Sequence, residues 1–164
     1  MSGGSLEAVA APRPLRPAAR LIVLDAQGRL LMFRFTTAGR PSFWATAGGA
    51  VDAGETFEAA ARRELLEETG IDADPGVEIA RRESDFTTLA GVDVRAVERY
   101  FLVQLGEGAT LDFSGHTAEE REWMLDHRWW RAEELAACEE IVYPVDILDI
   151  WRDALNSVAE GRAA

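Results

Sequence analysis

Short apolar runs separated by turn residues dominate the chain, with one long helical segment near its centre. From Ala19 to Asp25 the sequence is rich in Leu, Ile and Val, the pattern of a buried strand. A turn at Ala26-Gln27-Gly28 leads into a second apolar run, Arg29–Phe35, and the two together predict a β-hairpin. A loop containing Gly39 and Pro41 precedes a short aromatic strand at Phe43–Thr46, and a glycine-rich loop follows over Gly48–Gly54. The stretch Thr56–Thr69 is predicted as a helix. Thr56 can cap its first turn, Glu58 suits the positive end of the helix dipole, Ala, Leu, Arg and Glu fill the interior, and Gly70 stands where a helix stops.

Beyond a turn at Asp74-Pro75-Gly76, two strands are predicted over Val77–Thr87 and Val92–Leu105, joined near Gly91. Residues Gly106–Asp126 are polar and read as a loop. A short strand at Arg128–Trp130, a brief helix at Ala132–Cys138 and a closing helix over Val145–Val158 complete the pattern. Strands and helices interleave without a regular βαβ rhythm, so the expected class is α/β (α+β), a mixed sheet with helices on both faces. Residues 1–18, with their Gly, Ser, Pro and Ala, read as a flexible leader, leaving 19–160 as a single domain. Glu7 and the lack of amphipathic periodicity argue against a transit peptide.

Composition narrows the possible chemistry. The chain has 164 residues, 48% hydrophobic and 28% charged, as expected of one globular domain, and no apolar run long enough to span a bilayer. A cytoplasmic location with no membrane partner is the default. Cys138 is alone, which excludes an intrachain disulfide and a thiolate metal cluster; Glu139 and Glu140 beside it disfavour a thiolate, so it reads as a small, partly buried apolar residue. The net charge is −12, with 29 acids against 17 bases, and every base is Arg. Such a chain is a poor nucleic-acid binder. If its substrate is a polyphosphate, a divalent cation must cancel charge on both sides.

The segment Gly49–Ile71 carries the strongest chemical signal. Gly49 is followed after five residues by Glu55; seven more residues lead to Arg63-Glu64-Leu65, then Leu66, then Glu67-Glu68-Thr69-Gly70-Ile71. At about 100° per helical residue, Glu64, Glu67 and Glu68 fall within an arc of about 100°, while Leu65 and Ala61 share a neighbouring, core-directed face. Carboxylates gathered on one stripe repel one another, with only Arg63 at the edge to relieve them. The arrangement makes sense where a hard cation such as magnesium is to sit. Gly48, Gly49 and Gly54 let the preceding loop bend tightly and approach a ligand closely. A run such as Arg-Glu-x-x-Glu-Glu alone is usually a solvated helix face, but seven fixed residue types at fixed spacing coincide by chance on the order of once in 10⁸ positions.

This pattern resembles the Nudix box, G-x5-E-x7-R-E-U-x-E-E-x-G-U with U aliphatic, at every fixed position. A weaker resemblance, in strand order and in Arg128-Trp129-Trp130, extends over roughly residues 19–150. The resemblance to Nudix (MutT-like) hydrolases implies an α/β/α sandwich in which the box forms a loop–helix–loop. It implies that Glu64, Glu67 and Glu68 hold catalytic divalent cations, magnesium with manganese as the alternative. Arg63 would orient the glutamates, Glu55 would support the box, the Gly49 region would offer a carbonyl ligand, and Gly48, Gly54 and Gly70 would shape the motif. The implied reaction is hydrolysis of a phosphoanhydride bond in a nucleoside diphosphate linked to another group, X. Candidate substrates are nucleoside triphosphates, dinucleoside polyphosphates, ADP-ribose and nucleotide sugars, and a homodimer is compatible with the resemblance. Many such sequences read Leu-Pro-Gly-Gly before the box, where this one has Thr46-Ala47-Gly48-Gly49.

Outside the box, Glu119, Glu120 and Glu122 are candidates for one further acidic ligand or general base, with Glu120 favoured by its distance to Arg128-Trp129-Trp130; Glu98 is another candidate. Arg34, Arg40 and Arg95 are the candidate phosphate-binding cations, since guanidinium forks suit phosphate oxygens. Trp44, Phe86 and Tyr143 are candidates for stacking on a base. His116 and His127 show no metal-ligand spacing and receive no role. Two other readings compete. A non-catalytic nucleotide or ADP-ribose sensor of the same fold would typically have lost box glutamates, and all are present. An isoprenoid diphosphate isomerase of similar fold would need a catalytic Cys and His ligands early in the chain, where none stands.

Overall fold

The computed structural model describes residues 11–161. Its first three strands establish the site's geometry. Strand β1 (Leu15–Leu24) pairs in parallel with β5 (Asp93–Gln104) along its whole length, while β5 pairs antiparallel with the edge strand β4 (Glu78–Thr87). Strand β3 (Phe43–Ala50) divides its partners. Its first half, Phe43–Thr46, pairs with β2 (Leu30–Phe35), and its second half, Ala47–Ala50, pairs with β1 over Leu21–Ala18. The glycine-rich end of β3 is thereby stitched to the middle of the sheet. Strand β6 (Met124–Trp130) pairs antiparallel with β2, and the three-residue β7 (Ile141–Tyr143) lies parallel to β3.

Side chains alternate across this mixed sheet and bury two separate cores. Ala19, Leu21 and Val23 of β1 join Phe101 and Val103 of β5 beneath Ala60, Ala61 and Leu65 of helix α1 (Phe57–Thr69). On the opposite face Ile22 and Leu24 join Tyr100 and Leu102 beneath Ile147, Ile150, Trp151 and Ala154 of helix α4 (Ile147–Ala159). The Trp151 indole N–H donates to the Gly28 carbonyl at 3.1 Å, tying α4 to the β1–β2 turn. The mixed sheet with helices on both faces, expected from the pattern, is therefore observed. Edge strand β4 carries Arg81, Arg82, Glu83 and Asp85 in succession around Ser84, charges that discourage pairing with another chain. Among the described residues no helix is long and apolar enough to cross a membrane.

Several boundaries differ from the sequence expectation. Residues 1–10 of the expected leader lie outside the described residues, but Leu15–Ala18 are the first four residues of β1, hydrogen-bonded in register with Arg95–Glu98. Pro17 obscured them, since proline normally demotes a strand; its carbonyl nevertheless accepts from Val51 N at 2.9 Å. Strand β3 runs four residues further than expected, through Ala50, because Gly48 and Gly49 gain partners on β1. The segment read as a loop over Gly106–Asp126 contains helix α2 (Ala118–Trp123) and the start of β6. The helix expected over Ala132–Cys138 is shorter, α3 (Ala132–Ala136), and β7 was not anticipated at all.

Leu65 is fully buried, whereas Leu66, next in sequence, is 46% exposed. Leu65→Ala is expected to lower the unfolding free energy by about 2–5 kcal/mol and Leu66→Ala by well under 1 kcal/mol. Urea titration of both variants checks this; equal losses would mean that α1 docks through a different face.

Candidate active site

Helix α1 is fixed at both ends by local chemistry. The Thr56 hydroxyl accepts from Ala59 N at 3.1 Å, an N-cap worth about 1 kcal/mol. Gly70 takes the left-handed conformation (φ 75°) and its N–H returns to the Leu66 carbonyl at 2.9 Å. A side chain at Gly70 would also strike Asp112, so conformation and space both require glycine there.

The face of α1 toward the end of β3 carries Glu64 and Glu68, one helical turn apart and both buried. Glu68 accepts the Gly48 N–H at 2.7 Å. A Cβ at position 49 would overlap the Glu64 carboxylate, with Cδ only 2.7 Å away, so Gly49 makes room for an acid rather than for backbone flexibility. Burial raises the pKa of both carboxyls. For Glu68 the rise is large and is reinforced by the charge of Glu64; for Glu64 it outweighs the opposing hydrogen bond from Arg63.

Arg63 binds the loop and the helix acids together. Its Nε and Nη2 donate to the two oxygens of Glu55 at 2.9 and 2.8 Å, and Nη2 also donates to the Ala50 carbonyl at 2.9 Å. Its Nη1 donates to Glu64 at 2.9 Å and to Glu67 at 3.2 Å. The bidentate pair with Arg63, followed by the hydrogen bond from Asp52 N, depresses the Glu55 pKa to about 2.

A third carboxylate comes from outside α1. Glu64, Glu68 and Glu120 each offer one oxygen, and the three oxygens lie within 4.8 Å of one another. Glu120 is the third residue of α2, in a capping box: Thr117 Oγ1 accepts from Glu120 N at 3.1 Å, and Glu120 Oε2 accepts from Thr117 N at 2.7 Å. The segment leading into α2 is strapped to the C-terminal turn of α1. Asp112 N donates to Thr69 O at 2.8 Å, and the buried His116 ring lies 2.8 Å from Glu68 O through Nε2. Gly115 packs so closely that a side chain there would meet the Glu67 carbonyl at 2.8 Å. Sequence reasoning gave His116 no role. The structure makes it a strut that carries Glu120 to the α1 acids, and the readable signal was the Thr117-x-x-Glu120 spacing of a capping box.

Other expected residues lie elsewhere. Glu67 is beside the cluster but 42% exposed, with its carboxylate on Arg63. Glu119 and Glu122 point to solvent. Arg34 pairs with Glu140 at 2.8 Å and Arg95 pairs with Asp85 at 2.8 Å, neither one near the carboxylate cluster in its bonding. Arg40 donates to the Thr87 and Thr88 carbonyls, both at 3.2 Å, bridging its loop to the end of β4. Trp44 is 5% exposed, packed edge-on against Trp130 with its N–H on Glu140. It is a core residue and not the ligand-stacking ring expected of it. Tyr143 is exposed and edge-on to Phe43, and Phe86 is partly buried on β4. Glu98 is buried on β5 and accepts from Arg20 Nε at 2.8 Å and from the Tyr100 hydroxyl at 3.1 Å. Gly54 occupies the turn between Asp52 and Glu55, and Cys138 is partly buried against the α4 core.

The geometry is that of a small carboxylate cage open to a hard cation. Three acidic oxygens converge, two of them from buried groups that resist ionising without a positive partner, and Arg63 is turned mainly toward Glu55 and the loop. Magnesium favours such oxygen donors and fills its remaining positions with water or phosphate oxygens.

Comparison with known proteins agrees with this geometry. The NUDIX domain family model matches residues 14–146. Among solved structures, a MutT protein from Methanosarcina mazei Go1 superposes with a TM-score of 0.67 at 18% identity, covering 91% of this chain and 99% of that one. A C. elegans Ap4A hydrolase gives 0.63 at 18% identity, over 88% of this chain and 98% of that one. A NUDIX hydrolase from Nitrosomonas europaea gives 0.61 at 17% identity, over 93% and 92%. No curated protein matches.

The raised pKa values of Glu64 and Glu68 have a definite sign in the stability of the metal-free protein. Each contributes favourably while protonated in the fold, and that contribution is lost as pH rises through the raised value, at up to about 1.4 kcal/mol per pH unit for each proton. In EDTA the melting temperature is therefore expected to fall as pH rises above the ordinary carboxylate range, and Glu68→Gln to flatten that fall. Glu55 acts oppositely, its contribution being lost as pH falls from the ordinary carboxylate range through about 2. Magnesium at pH 8 should restore stability to the natural chain and not to Glu68→Gln. Thermal melts across the pH series check this; parallel curves for the two proteins would remove Glu68 from the account.

Proposed function

The chain belongs to the NUDIX domain family, and we propose that it is a nucleotide pyrophosphohydrolase working with a divalent cation seated on Glu64, Glu68 and Glu120. The observation that carries this reading is the convergence of these three carboxylate oxygens within 4.8 Å behind a complete family motif. Glu67 joins the set on the resemblance of the motif, and Gly49 on the closeness of the β3 end to Glu64. Magnesium is the cation we assign, with manganese able to replace it, because every donor is a hard oxygen.

When bound, such a cation neutralises phosphate charge and lowers the pKa of a water, so that hydroxide is available near neutral pH. The protein's own part is positional. Arg63 clamps Glu55, Glu64 and Glu67 to the Ala50 carbonyl, so the helix acids and the β3 loop keep one spacing while a substrate arrives. Buried Glu68 carries the most strongly raised pKa of the cluster and is held by the Gly48 amide. Glu120 faces the helix pair from a separate element, where it can complete the cage or take a proton from a water.

The substrate class that fits is a nucleoside diphosphate linked to X, a small molecule rather than a nucleic acid, as the net charge of −12 also favours. Nucleoside triphosphates, dinucleoside polyphosphates, ADP-ribose and nucleotide sugars form the panel to assay. The non-catalytic sensor reading has no support in a motif that retains every glutamate.

Turnover of one member of that panel is expected with magnesium or manganese and not with EDTA. Glu68→Gln should lower kcat by about 10³-fold or more, and Glu67→Gln by several orders of magnitude, near-normal turnover of the latter removing Glu67 from the ligand set. Glu120→Gln should cost at least about tenfold. Steady-state kinetics on folded variants decide each case: metal-independent turnover would defeat the reading, and a smaller loss for Glu120→Gln would remove that residue from the site.

A further inference from the structure

The C-terminal turn of α1 is closed by a segment that lies beyond β5 in the chain. A helix leaves its last carbonyls without partners of its own. In α1 the Leu66 carbonyl is the last to be met locally, by the Gly70 N–H, and the next three belong to Glu67, Glu68 and Thr69. Two of these are met from residues 112–116. Asp112 N donates to Thr69 O at 2.8 Å, and His116 Nε2 lies 2.8 Å from Glu68 O, 48 residues away in sequence. Glu67 O lies against Gly115, where a side chain would meet it at 2.8 Å.

A carbonyl oxygen only accepts, so His116 carries a hydrogen on Nε2 and donates it to Glu68. The buried ring is kept in that orientation by Phe113 and Phe33, whose ring centres stand 5.2 and 6.1 Å away. The next residue, Thr117, caps α2, and Glu120 closes the capping box, so a short stretch of ordered backbone links His116 to the Glu120 carboxylate. Arg121 Nη2 donates back to the Ser114 carbonyl at 3.1 Å and stitches α2 to the same segment. The carboxylates themselves oppose this arrangement, since three acidic oxygens within 4.8 Å repel one another. Arg63 directs its N–H groups to Glu55, Glu64, Glu67 and the Ala50 carbonyl, on the far side of the cluster from α2 in its bonding. What draws Glu120 inward is the seating of residues 111–116: Leu111 and Phe113 pack on the core beneath α1, and Asp112 and His116 bond to its last turn.

We propose that His116 is a positioning residue for the cation site: by donating to the Glu68 carbonyl it holds Glu120 against Glu64 and Glu68 before a cation arrives. The inference rests on the divalent-cation reading and adds to it a division of labour. Glu64 and Glu68 come with the helix, whereas the third carboxylate comes only while the helix end is capped from outside. Because the acceptor is the backbone of a cation-binding residue, the cap and the cage form or open together. A spacing set in advance lowers the cost of gathering oxygens around a small ion with strict geometry.

The test uses the full chain and manganese, with affinity read by electron paramagnetic resonance. His116→Ala should bind manganese about tenfold more weakly than the natural chain. His116→Gln, whose amide nitrogen can reach the place of Nε2, should recover most of that loss, and His116→Asn, whose nitrogen falls short, should not. Glu120→Gln supplies the second background, because it removes the charge and keeps the capping box. There His116→Ala should change manganese affinity by no more than about twofold, since its effect runs through Glu120. A histidine that merely holds α1 together would weaken binding by the same factor in both backgrounds, and that result would overturn the proposal. Unchanged affinity in His116→Ala, or in Glu120→Gln alone, would overturn it too and leave the hydrolase reading standing on the helix acids. Should His116→Ala fail to fold, the Gln and Asn variants carry the same comparison. Failure of the natural chain to bind manganese would instead overturn the cation reading, and this inference with it.

Discussion

Burying Glu64 and Glu68 one helical turn apart is the constraint to which the surrounding structure answers. On an exposed helix two like charges at that spacing cost only about 0.2–0.5 kcal/mol. Here both are buried, and taking each ion out of water costs several kcal/mol unless it finds a partner. The protein meets only part of that demand. Gly48 donates one backbone N–H to Glu68, Arg63 donates one N–H to Glu64, and the remaining oxygens face each other and Glu120. A proton or a cation must supply the rest. That incomplete satisfaction separates this cluster from an ordinary solvated acidic face.

The parts of the fold and site legible in the sequence were those set over short range. Helix α1 could be read closely because its cap, its core face and its stop are all encoded within fifteen residues, and Ala61 and Leu65 are buried as their positions demanded. Pairing between distant strands could not be read in this way. The split of β3 between β2 and β1 depends on the curl of the whole sheet, so Gly48 and Gly49 looked like loop and are strand. Trp44 looked available to a ligand because no local rule places it against Trp130 and Glu140. Arg34 and Arg95 were plausible phosphate cations until their carboxylate partners, 106 and 10 residues away, were in view. The capping box at Thr117 and Glu120 is the one omission that a local rule could have repaired.

Charge distribution links the site to the rest of the molecule. Most arginines of this acidic chain are committed to ion pairs on the surface or at strand edges, including Arg29, Arg62, Arg81, Arg95 and Arg152. Positive charge able to meet a polyphosphate is therefore scarce. Where it stands matters more than how much there is, because exposed charges are screened beyond about 10 Å at 0.1 M salt while partly buried ones keep their influence.

The register of β1 against β3 sets where Arg20 stands relative to the helix acids. Arg20 pairs with Gly48, whose amide binds Glu68; Ala19 pairs with Gly49, whose missing side chain admits Glu64. Adjacent residues of one strand thus face in opposite directions, Ala19 toward the helix acids and Arg20 toward Glu98. A slip of one residue would exchange them, putting a guanidinium against Ala61 and Leu65 and emptying the face that holds Glu98. Ala19 and Leu21 in one core, and Ile22 and Leu24 in the other, oppose that slip with their full burial. The hydrophobic alternation of β1 is consequently what keeps the helix acids and the Arg20–Glu98 pair on opposite faces of a single strand.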